Sequence, residues 1–337
     1  MTADPASTLP AIEARGIEYT YPVRRSRRGR REEPAVGPGK ALAGLDFQVA
    51  PGEIYGFLGP NGGGKTTLFR ILATLAPAER GTIQVFGVDL RRQAREVRRH
   101  LGVVFQNPSL DLQLTVAENL THQGQLYGLT GRDLAARIER QMARFRLADR
   151  RDQRARELSG GLRRRAEIAK ALLHEPRLLL LDEPSTGLDP AARRDLWDTL
   201  EELQQGGVTV LLTTHFMEEG DRCDRLALID QGRLVAEGAP AVLKEEIGGD
   251  VVTLTGPDPA ALARDLAARF PELKPEVRDG AVRLERERAH EWVARLVEAL
   301  PGRIDALTVA RPTLEDVFLH RTGHQLYSGL YGGEATP

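Results

Sequence analysis

Residues 59–66 of this chain read Gly59-Pro60-Asn61-Gly62-Gly63-Gly64-Lys65-Thr66. The stretch fits the pattern G-x-x-x-x-G-K-[ST], in which backbone N–H groups of a glycine-rich loop close around phosphates. An apolar run from Ile54 to Leu58 precedes it and predicts a buried strand, while residues 66–75 predict a helix. The positive end of the helix dipole favours an anion at such a loop. The stretch therefore predicts an α/β fold that holds a nucleoside triphosphate at this point.

Three side chains at the end of the loop are candidates for contact with the nucleotide. Lys65 is expected to reach the β- and γ-phosphates, and the Thr66 hydroxyl to bind Mg²⁺. Thr67, the next residue, is grouped with them as a nucleotide-binding residue. A glycine-rich loop of no function is the alternative, and the strand–loop–helix context argues strongly against it.

A second chemical motif follows an apolar strand. Leu178 to Leu181 predict a short buried parallel strand, and Asp182 and Glu183 come directly after Leu181. Asp182 at the carboxyl end of the strand can hold Mg²⁺ through a water. Glu183 can polarise an attacking water as a general base. Acidic residues in this position are more often helix caps, and it is the phosphate loop that favours the catalytic interpretation.

A turn between these two motifs indicates a particular family. It reads Leu158-Ser159-Gly160-Gly161, and a helix is predicted after it. Alone, such a turn is weak evidence. After a phosphate loop and just before the acidic strand, it resembles the signature of the ATP-binding cassette (ABC) family, in which the turn serves a nucleotide held by the opposite subunit. The family commonly has Gln where this chain has Leu162. The Ser159 hydroxyl and the amides of Gly160 and Gly161 remain available to a γ-phosphate.

The remaining motifs of the family follow in order, and the resemblance implies their roles. Gln106, after a predicted strand at 103–105, would contact Mg²⁺ and the attacking water. Asp189 would cross the dimer interface, and His215, after the apolar run 208–212, would sense the γ-phosphate. Without the resemblance, Gln106 would be read as a surface residue and His215 as a polar residue at a strand end. The resemblance thus gives Glu183, His215, Gln106 and Asp189 as catalytic residues, with Thr66, Gln106 and Asp182 around the metal.

An aromatic residue near the start of the chain is a candidate for stacking on adenine. Tyr21 resembles the family's aromatic, although Tyr19 is a rival and a core or strand-edge tyrosine is the alternative. An arginine-rich run from Arg24 to Arg31 begins just beyond it. We interpret this run as a solvated loop in preference to a lipid-contacting patch.

Two further stretches resemble a subgroup of the family. Arg163-Arg164-Arg165 after the signature resembles drug-export cassettes of the daunorubicin-resistance type. Residues 311–318 resemble the ending of the same subunits. No chemistry follows from the residues of this ending, and a packed amphipathic helix is the preferred interpretation.

Two domains are expected from the change of pattern after Gly249. Residues 9–247 would form the ABC cassette, a mixed sheet flanked by helices with a helical subdomain around 115–147. Residues 250–322 would form a small α+β domain of the order βαββαβ, which matches a ferredoxin-like fold. Its predicted elements are the strand 251–255, the helix 259–270, the strands 276–277 and 282–284, the helix 289–300 and the strand 304–309.

Composition narrows the class of protein. Length (337 residues) is enough for about two domains, and a net charge of −1 provides no field to attract nucleic acid. The single Cys223 fits a reducing compartment. No apolar run approaches the roughly 20 residues of a membrane span. The first ten residues lack the basic start and apolar core of a signal peptide.

The sequence therefore predicts an ATPase subunit of an ABC exporter. The resemblance implies that two such cassettes, most simply a homodimer, sandwich two ATP–Mg²⁺ and drive a separate multi-span permease from the cytoplasmic face of the membrane. An amphipathic, drug-like or lipid cargo is expected, and no nucleic acid. The alternatives are a non-transport ABC protein acting on nucleic acid or ribosomes, and an unrelated phosphate-loop kinase or GTPase. The first usually has tandem cassettes or a long coiled-coil insertion, and the second leaves the Ser-Gly-Gly turn unexplained.

Overall fold

The structure is a computed structural model, and it describes residues 9–21, 40–278 and 280–324. The arginine-rich run from Arg24 to Arg31 lies outside these residues.

The strands and helices alternate along most of the chain. The strands are β1 (Ile12–Thr20), β2 (Lys40–Val49), β3 (Ile54–Leu58), β4 (Arg80–Val85), β5 (Val88–Asp89), β6 (Leu101–Val104), β7 (Leu178–Asp182), β8 (Thr209–Thr214), β9 (Arg225–Asp230), β10 (Arg233–Gly238), β11 (Asp250–Thr255), β12 (Glu276–Arg278), β13 (Ala281–Arg286) and β14 (Ala306–Ala310). The α-helices are α1 (Lys65–Leu72), α2 (Ala94–His100), α3 (Val116–Leu126), α4 (Gly131–Arg144), α5 (Gly160–Ala171), α6 (Pro190–Gln205), α7 (Met217–Gly220), α8 (Pro240–Glu245), α9 (Pro259–Arg269), α10 (Val293–Ala299) and α11 (Leu314–Thr322).

A six-stranded sheet in the order β10-β9-β3-β8-β7-β6 positions the site. The pairs β9–β3, β3–β8, β8–β7 and β7–β6 are parallel, so these five strands end at one edge. Every residue of β3, β7 and β8 is buried, as expected for parallel strands covered on both faces. The predicted phosphate loop and acidic pair follow β3 and β7, and they therefore meet at this edge.

An antiparallel sheet and a group of helices complete this unit. The antiparallel sheet has the order β2-β1-β4-β5, and the two sheets together confirm the predicted mixed arrangement. The helical subdomain predicted around residues 115–147 contains two helices, α3 and α4, which pack against each other and against α5. Leu134, Ile138 and Met142 are the buried residues of α4, and their helical spacing is the signal by which the sequence predicts it.

The last part of the chain forms a second unit with its own core. Its sheet is antiparallel in the order β12-β13-β11-β14, and the elements follow one another as βαββαβ, as the sequence predicts. The helix predicted at 289–300 is shorter: a 3₁₀ turn covers Ala289–Glu291, and α10 follows at Val293. This turn lets Ala289 and Trp292 both enter the core. The ending at 311–318 contains the start of α11, whose Leu314, Val317 and Phe318 are buried.

The two compact units separate between Glu237 and Gly238. The predicted domains 9–247 and 250–322 would leave α8 in the first domain, but α8 contacts α11 and lies in the second unit. Leu243 of α8 is buried, and Glu246 just beyond the helix pairs with Arg321. Among the described residues, no helix has the length and apolar character needed to cross a membrane.

Candidate active site

The loop from Gly59 to Gly64 joins β3 to α1, and two of its glycines are needed for close packing. A Cβ atom at Gly59 would lie 2.1 Å from the carbonyl oxygen of Ile229. Gly64 has φ of +108°, and a Cβ there would lie 2.6 Å from the carbonyl oxygen of Ala41. Only glycine tolerates both the left-handed backbone and this approach. The strand–loop–helix context predicted for the phosphate loop is thus present.

Lys65, the first residue of α1, points back over the loop. Its Nζ donates hydrogen bonds to the carbonyl oxygens of Gly59 at 2.7 Å and Pro60 at 3.0 Å. Nζ also lies 3.8 Å from Oε1 of Glu183. Burial lowers the pKa of Lys65, and the carboxylates of Glu183 and Asp182 oppose that shift. The cation is therefore held over the loop by acceptors that a phosphate can replace.

A cavity of about 260 Å³ opens beside the loop. The residues that line it are Tyr21, Ala41, Asn61, Gly62, Gly64, Lys65, Thr66, Thr67 and Glu183. The Tyr21 hydroxyl shares a hydrogen bond of 3.0 Å with Thr67 Oγ1. Tyr19 instead packs against the core, with its ring 5.1 Å from that of Tyr21. Of the two tyrosines, Tyr21 is the one positioned for a ligand in this cavity.

Asp182 is the last residue of β7 and is almost entirely buried. Its Oδ1 accepts a hydrogen bond of 2.6 Å from the Thr213 hydroxyl on the neighbouring strand β8. Burial raises the pKa of Asp182, and the bond from Thr213 opposes that shift. Thr213 is a site residue that the sequence does not single out. The only sequence signal for Thr213 is that it is a polar residue at the end of an apolar strand.

Glu183 occupies a left-handed backbone conformation with φ of +45°, which is rare for a residue with a side chain. Its N–H is shared between the carbonyl oxygen and the hydroxyl of Thr213, each at 3.1 Å. This anchor turns the chain at the end of β7 and directs the carboxylate to Lys65. Backbone strain of this kind is concentrated at functional sites.

Two predicted catalytic residues meet the carboxylate of Glu183. Gln106 Nε2 donates a hydrogen bond of 2.9 Å to Oε2, and His215 Nδ1 lies 3.5 Å from the same oxygen. The His215 side chain, with a further contribution from Lys65, holds the pKa of Glu183 below its ordinary range. The structure thus brings together Lys65, Gln106, Glu183 and His215. An ionised carboxylate here has the charge state that a general base requires.

Ser159 and Gly160 of the signature turn are exposed, Gly161 is half-buried and Leu158 is buried, and none of the four lines this cavity. Ser159 is the N-cap of α5, and its Oγ accepts a hydrogen bond of 3.3 Å from the Leu162 N–H. The hydroxyl proton of Ser159 stays available to an acceptor. A helix N-terminus that presents a hydroxyl and the amides of Gly160 and Gly161 to the exterior suits an anion brought by another molecule.

Asp189 lies apart from the Glu183 cluster, at the exposed N-terminus of α6. Its Oδ1 accepts hydrogen bonds from the N–H groups of Ala191 at 3.0 Å and Ala192 at 2.9 Å. The bond from Ala192 contributes most to lowering the pKa of Asp189. Asp189 therefore caps α6, while its place on the exterior leaves it accessible.

The oxygen donors of Thr66, Asp182 and Gln106 suit Mg²⁺ bound together with ATP, and of these three residues Thr66 lines the cavity. The Thr66 hydroxyl, the Asp182 carboxylate and the Gln106 amide oxygen are hard oxygen ligands, which Mg²⁺ prefers. Among the residues that the structure describes, no three His, Cys, Asp or Glu side chains form a metal-holding group. That pattern is compatible with Mg²⁺, because it binds through one or two carboxylates plus phosphates and waters.

Fold and site together define an α/β nucleotide-binding protein of the phosphate-loop class. The family model described as "ABC transporter" matches residues 42–186. A relative, the Nod factor export ATP-binding protein I of Paraburkholderia xenovorans (strain LB400), is 45% identical over 296 residues, which cover 87% of this chain and 95% of the relative. The chain belongs to the ABC transporter family as an ATP-binding subunit, and members of this family are ATPases coupled to transport.

Other similar proteins agree with this assignment. The daunorubicin resistance ATP-binding protein DrrA3 of Streptomyces coeruleorubidus is 42% identical over 302 residues, covering 86% of this chain and 94% of that protein. Among solved structures, cbiO1 from Clostridium perfringens, described as part of the ABC transporter complex cbiONQ, has a TM-score of 0.61 at 25% identity. That likeness covers 78% of this chain and 97% of the other.

Proposed function

We propose that this chain hydrolyses ATP at an interface between two cassettes and thereby powers export by a separate membrane permease. In each site the phosphate loop of one subunit would hold ATP, and Ser159 to Gly161 of the other subunit would close over its γ-phosphate. The observation that carries the proposal is the division between two groups of residues. Lys65 and Glu183 line one cavity and Gln106 donates a hydrogen bond to Glu183, whereas Ser159 and Gly160 are exposed and no residue of the signature turn lines that cavity.

The roles of the residues follow from their contacts. Lys65 would exchange its bonds to the Gly59 and Pro60 carbonyls for phosphate oxygens, which are stronger acceptors because they are charged. Thr66, Asp182 and Gln106 would hold Mg²⁺, which supplies charge neutralisation at the phosphates. Tyr21 would stack on adenine.

The contacts of Glu183 support its role as the base. Its carboxylate would accept a proton from the attacking water, and Gln106 would orient that water together with Glu183. His215, within reach of the same carboxylate, would sense the γ-phosphate. Asp189, exposed at the start of α6, would meet the partner cassette.

Export is supported by the names of the relatives, which act in Nod factor export and in daunorubicin resistance. We infer an amphipathic cargo, a multi-span permease as partner and a position at the cytoplasmic face of the membrane. A role on ribosomes or nucleic acid is the alternative from another class, and no specific contact among the described residues favours it.

Co-expression tests the exporter proposal directly. The full chain, carrying an affinity tag, is produced with any multi-span membrane protein that its neighbouring genes encode, and the detergent-solubilised complex is assayed for ATP hydrolysis. We expect the two proteins to co-purify and daunorubicin or a lipid-like compound to raise the rate. Co-sedimentation of the chain with ribosomes, without retention on the membrane protein, would favour the alternative.

A further inference from the structure

Three consecutive arginines on α5 point in different directions. Arg163 donates to the carbonyl oxygens of Leu158 at 3.0 Å and Arg156 at 3.1 Å, next to the start of its own helix. Arg165 pairs with Asp195. Arg164 differs from both, because its side chain is only 8% exposed. A family resemblance singles out the run, and no step of ATP hydrolysis described so far uses it.

Arg164 holds the backbone that carries Gln106. Its Nη1 donates a hydrogen bond of 2.8 Å to the carbonyl oxygen of Phe105, and its Nη2 one of 3.4 Å to the carbonyl oxygen of Gln106. Nη1 also donates 2.9 Å to Oε2 of Glu167, which is itself 3% exposed. The planar fork of the guanidinium group can make these bonds at the same time. A lysine ammonium cannot reproduce this set of bonds at the same spacing.

Two further residues of α5 contact the same segment at its other end. Glu167 Oε1 accepts a hydrogen bond of 2.6 Å from the N–H of Ser109, and Lys170 Nζ donates one of 2.7 Å to the Ser109 carbonyl oxygen. Arg164, Glu167 and Lys170 lie three residues apart and therefore share a face of the helix. We call these three side chains the α5 cluster. The α5 cluster attaches both ends of the segment 105–109 to α5, the signature helix, which begins at the signature turn.

The charges of the α5 cluster favour a positional role. Burial raises the pKa of Glu167 and lowers that of Arg164, and each charge is compensated by the other. A buried ion pair generally adds little stability over apolar residues of the same size. The contribution of the Arg164–Glu167 pair is therefore geometric, because it fixes backbone carbonyl groups next to Gln106.

We propose that Arg164 is a positioning residue that joins the signature helix to the Gln106–Glu183 contact. The proposal rests on the roles proposed above for Gln106 and Glu183. When a partner's γ-phosphate docks at Ser159, any displacement of α5 is carried to residues 105–109. The amide of Gln106 then moves relative to the Glu183 carboxylate, so that the general base responds to closure of the other site.

The test compares Arg164→Lys with Arg165→Lys in the full-length chain. Arg164→Lys keeps the charge beside Glu167 and loses the fork to the two carbonyls. We expect kcat for ATP hydrolysis to fall about tenfold, with KM for ATP and the melting temperature within twofold and a few degrees of wild type. Arg165→Lys changes an equally charged neighbour and is expected to leave kcat within twofold of wild type.

A double-mutant cycle separates positioning from general damage to the fold. If Arg164 acts through Gln106, Arg164→Lys produces no further loss in a Gln106→Ala background. If the losses in kcat of the two single variants multiply in the double variant, or if kcat and KM change in parallel, the inference is wrong. Lys170→Met removes the bond to Ser109 and leaves the Arg164–Glu167 pair, so it tests the same idea if Arg164→Lys fails to fold. We expect about a threefold loss of kcat from it, again absent in the Gln106→Ala background, and an unchanged kcat would contradict the inference.

The activity of the wild-type chain shows whether the positioning role of Arg164 or the proposed ATP site has failed. A wild-type chain that hydrolyses ATP while Arg164→Lys matches it refutes the positioning role alone. A wild-type chain that hydrolyses no ATP, or a Gln106→Ala variant with wild-type kcat, refutes the proposed site itself.

Discussion

Replacement of Glu183 by Gln separates ATP binding from the chemical step. The Glu183 carboxylate has four side-chain contacts: Gln106 donates to it at 2.9 Å and Thr186 Oγ1 at 3.4 Å, His215 Nδ1 lies 3.5 Å away and Lys65 Nζ lies 3.8 Å away. In Glu183→Gln the introduced side chain can still accept from Gln106 through its amide oxygen. It cannot accept a proton from water at neutral pH.

The expected changes in hydrolysis rate and ATP affinity follow from the loss of the Glu183 carboxylate and the retention of Lys65. Loss of a positioned general base lowers the rate by roughly 10²- to 10⁴-fold. The affinity for ATP is expected to persist or improve, because Lys65 no longer has to break an ion pair with the Glu183 carboxylate before it binds phosphate. The ion pair that competes with phosphate is almost entirely buried, with side-chain exposures of 4% and 8%, so solvent screens this competition little.

The assay is single-turnover hydrolysis of radiolabelled ATP together with calorimetric binding of a non-hydrolysable ATP analogue. Glu202→Gln on the exposed face of α6 is a matched control, since it makes the same chemical change outside the site. We expect the Glu183→Gln chain to bind the analogue at least as tightly as wild type and to be trapped by ATP as a dimer in size-exclusion chromatography. Turnover within about twofold of wild type would refute the role of Glu183 as the base.

Three further changes test other parts of the site and the fold. Lys65→Met removes a charge-assisted phosphate contact worth roughly 1.5–3 kcal/mol, so the affinity for the ATP analogue is expected to fall about 10- to 150-fold by calorimetry; an unchanged affinity would contradict the role of Lys65. Thr66→Ala removes a proposed Mg²⁺ ligand, so half-maximal hydrolysis is expected to require more Mg²⁺, and a Mg²⁺ titration that superimposes on wild type would exclude that ligand. A chain ended after Gly249 is expected to stay soluble and bind ATP, because the sheet that carries the site lies in the first unit except for Gly238, the last residue of β10; loss of ATP binding in that truncated chain would show that the cassette needs the remainder to fold.

The parts of the fold with strong local signals were predictable from the sequence. The apolar run before the phosphate loop predicts β3 with its observed bounds, and the helix predicted after the loop at 66–75 is α1, which begins one residue earlier and ends three residues earlier. Apolar runs mark β7 and β8 because parallel strands are buried on both faces. The order βαββαβ of the second unit follows in the same way from alternating strand and helix patterns.

Contacts between distant strands could not be read from the sequence. The bond from Thr213 to Asp182 depends on the register that places these two residues opposite each other on β8 and β7. The choice between Tyr19 and Tyr21 depends on the path of β1, whose register shifts between Ala14 and Ile17. Local patterns do not specify such offsets, because they arise from how whole strands pair.

Buried polar residues on helices were hidden for a related reason. Arg164 and Glu167 lie on α5 in a run of charges whose pattern is typical of a solvated helix face. Only the packing of α5 against residues 105–109 shows that the two side chains are buried. The spacing on α4, by contrast, was detectable because the buried residues of that helix are apolar.

The trans action of the signature is the central claim, and Ser159→Arg tests it most directly. Ser159 is exposed and absent from the lining of the cavity that holds Lys65, so a bulky cation there leaves the chain's own nucleotide contacts in place. Ser159→Thr retains the hydroxyl and the N-cap, and it serves as the control. The measurement is ATP-analogue affinity of the monomer by calorimetry beside steady-state ATP hydrolysis of the same preparation. We predict wild-type affinity with hydrolysis lost in Ser159→Arg, whereas loss of affinity in the monomer would mean that Ser159 serves its own nucleotide or the fold and would contradict a site shared between two cassettes.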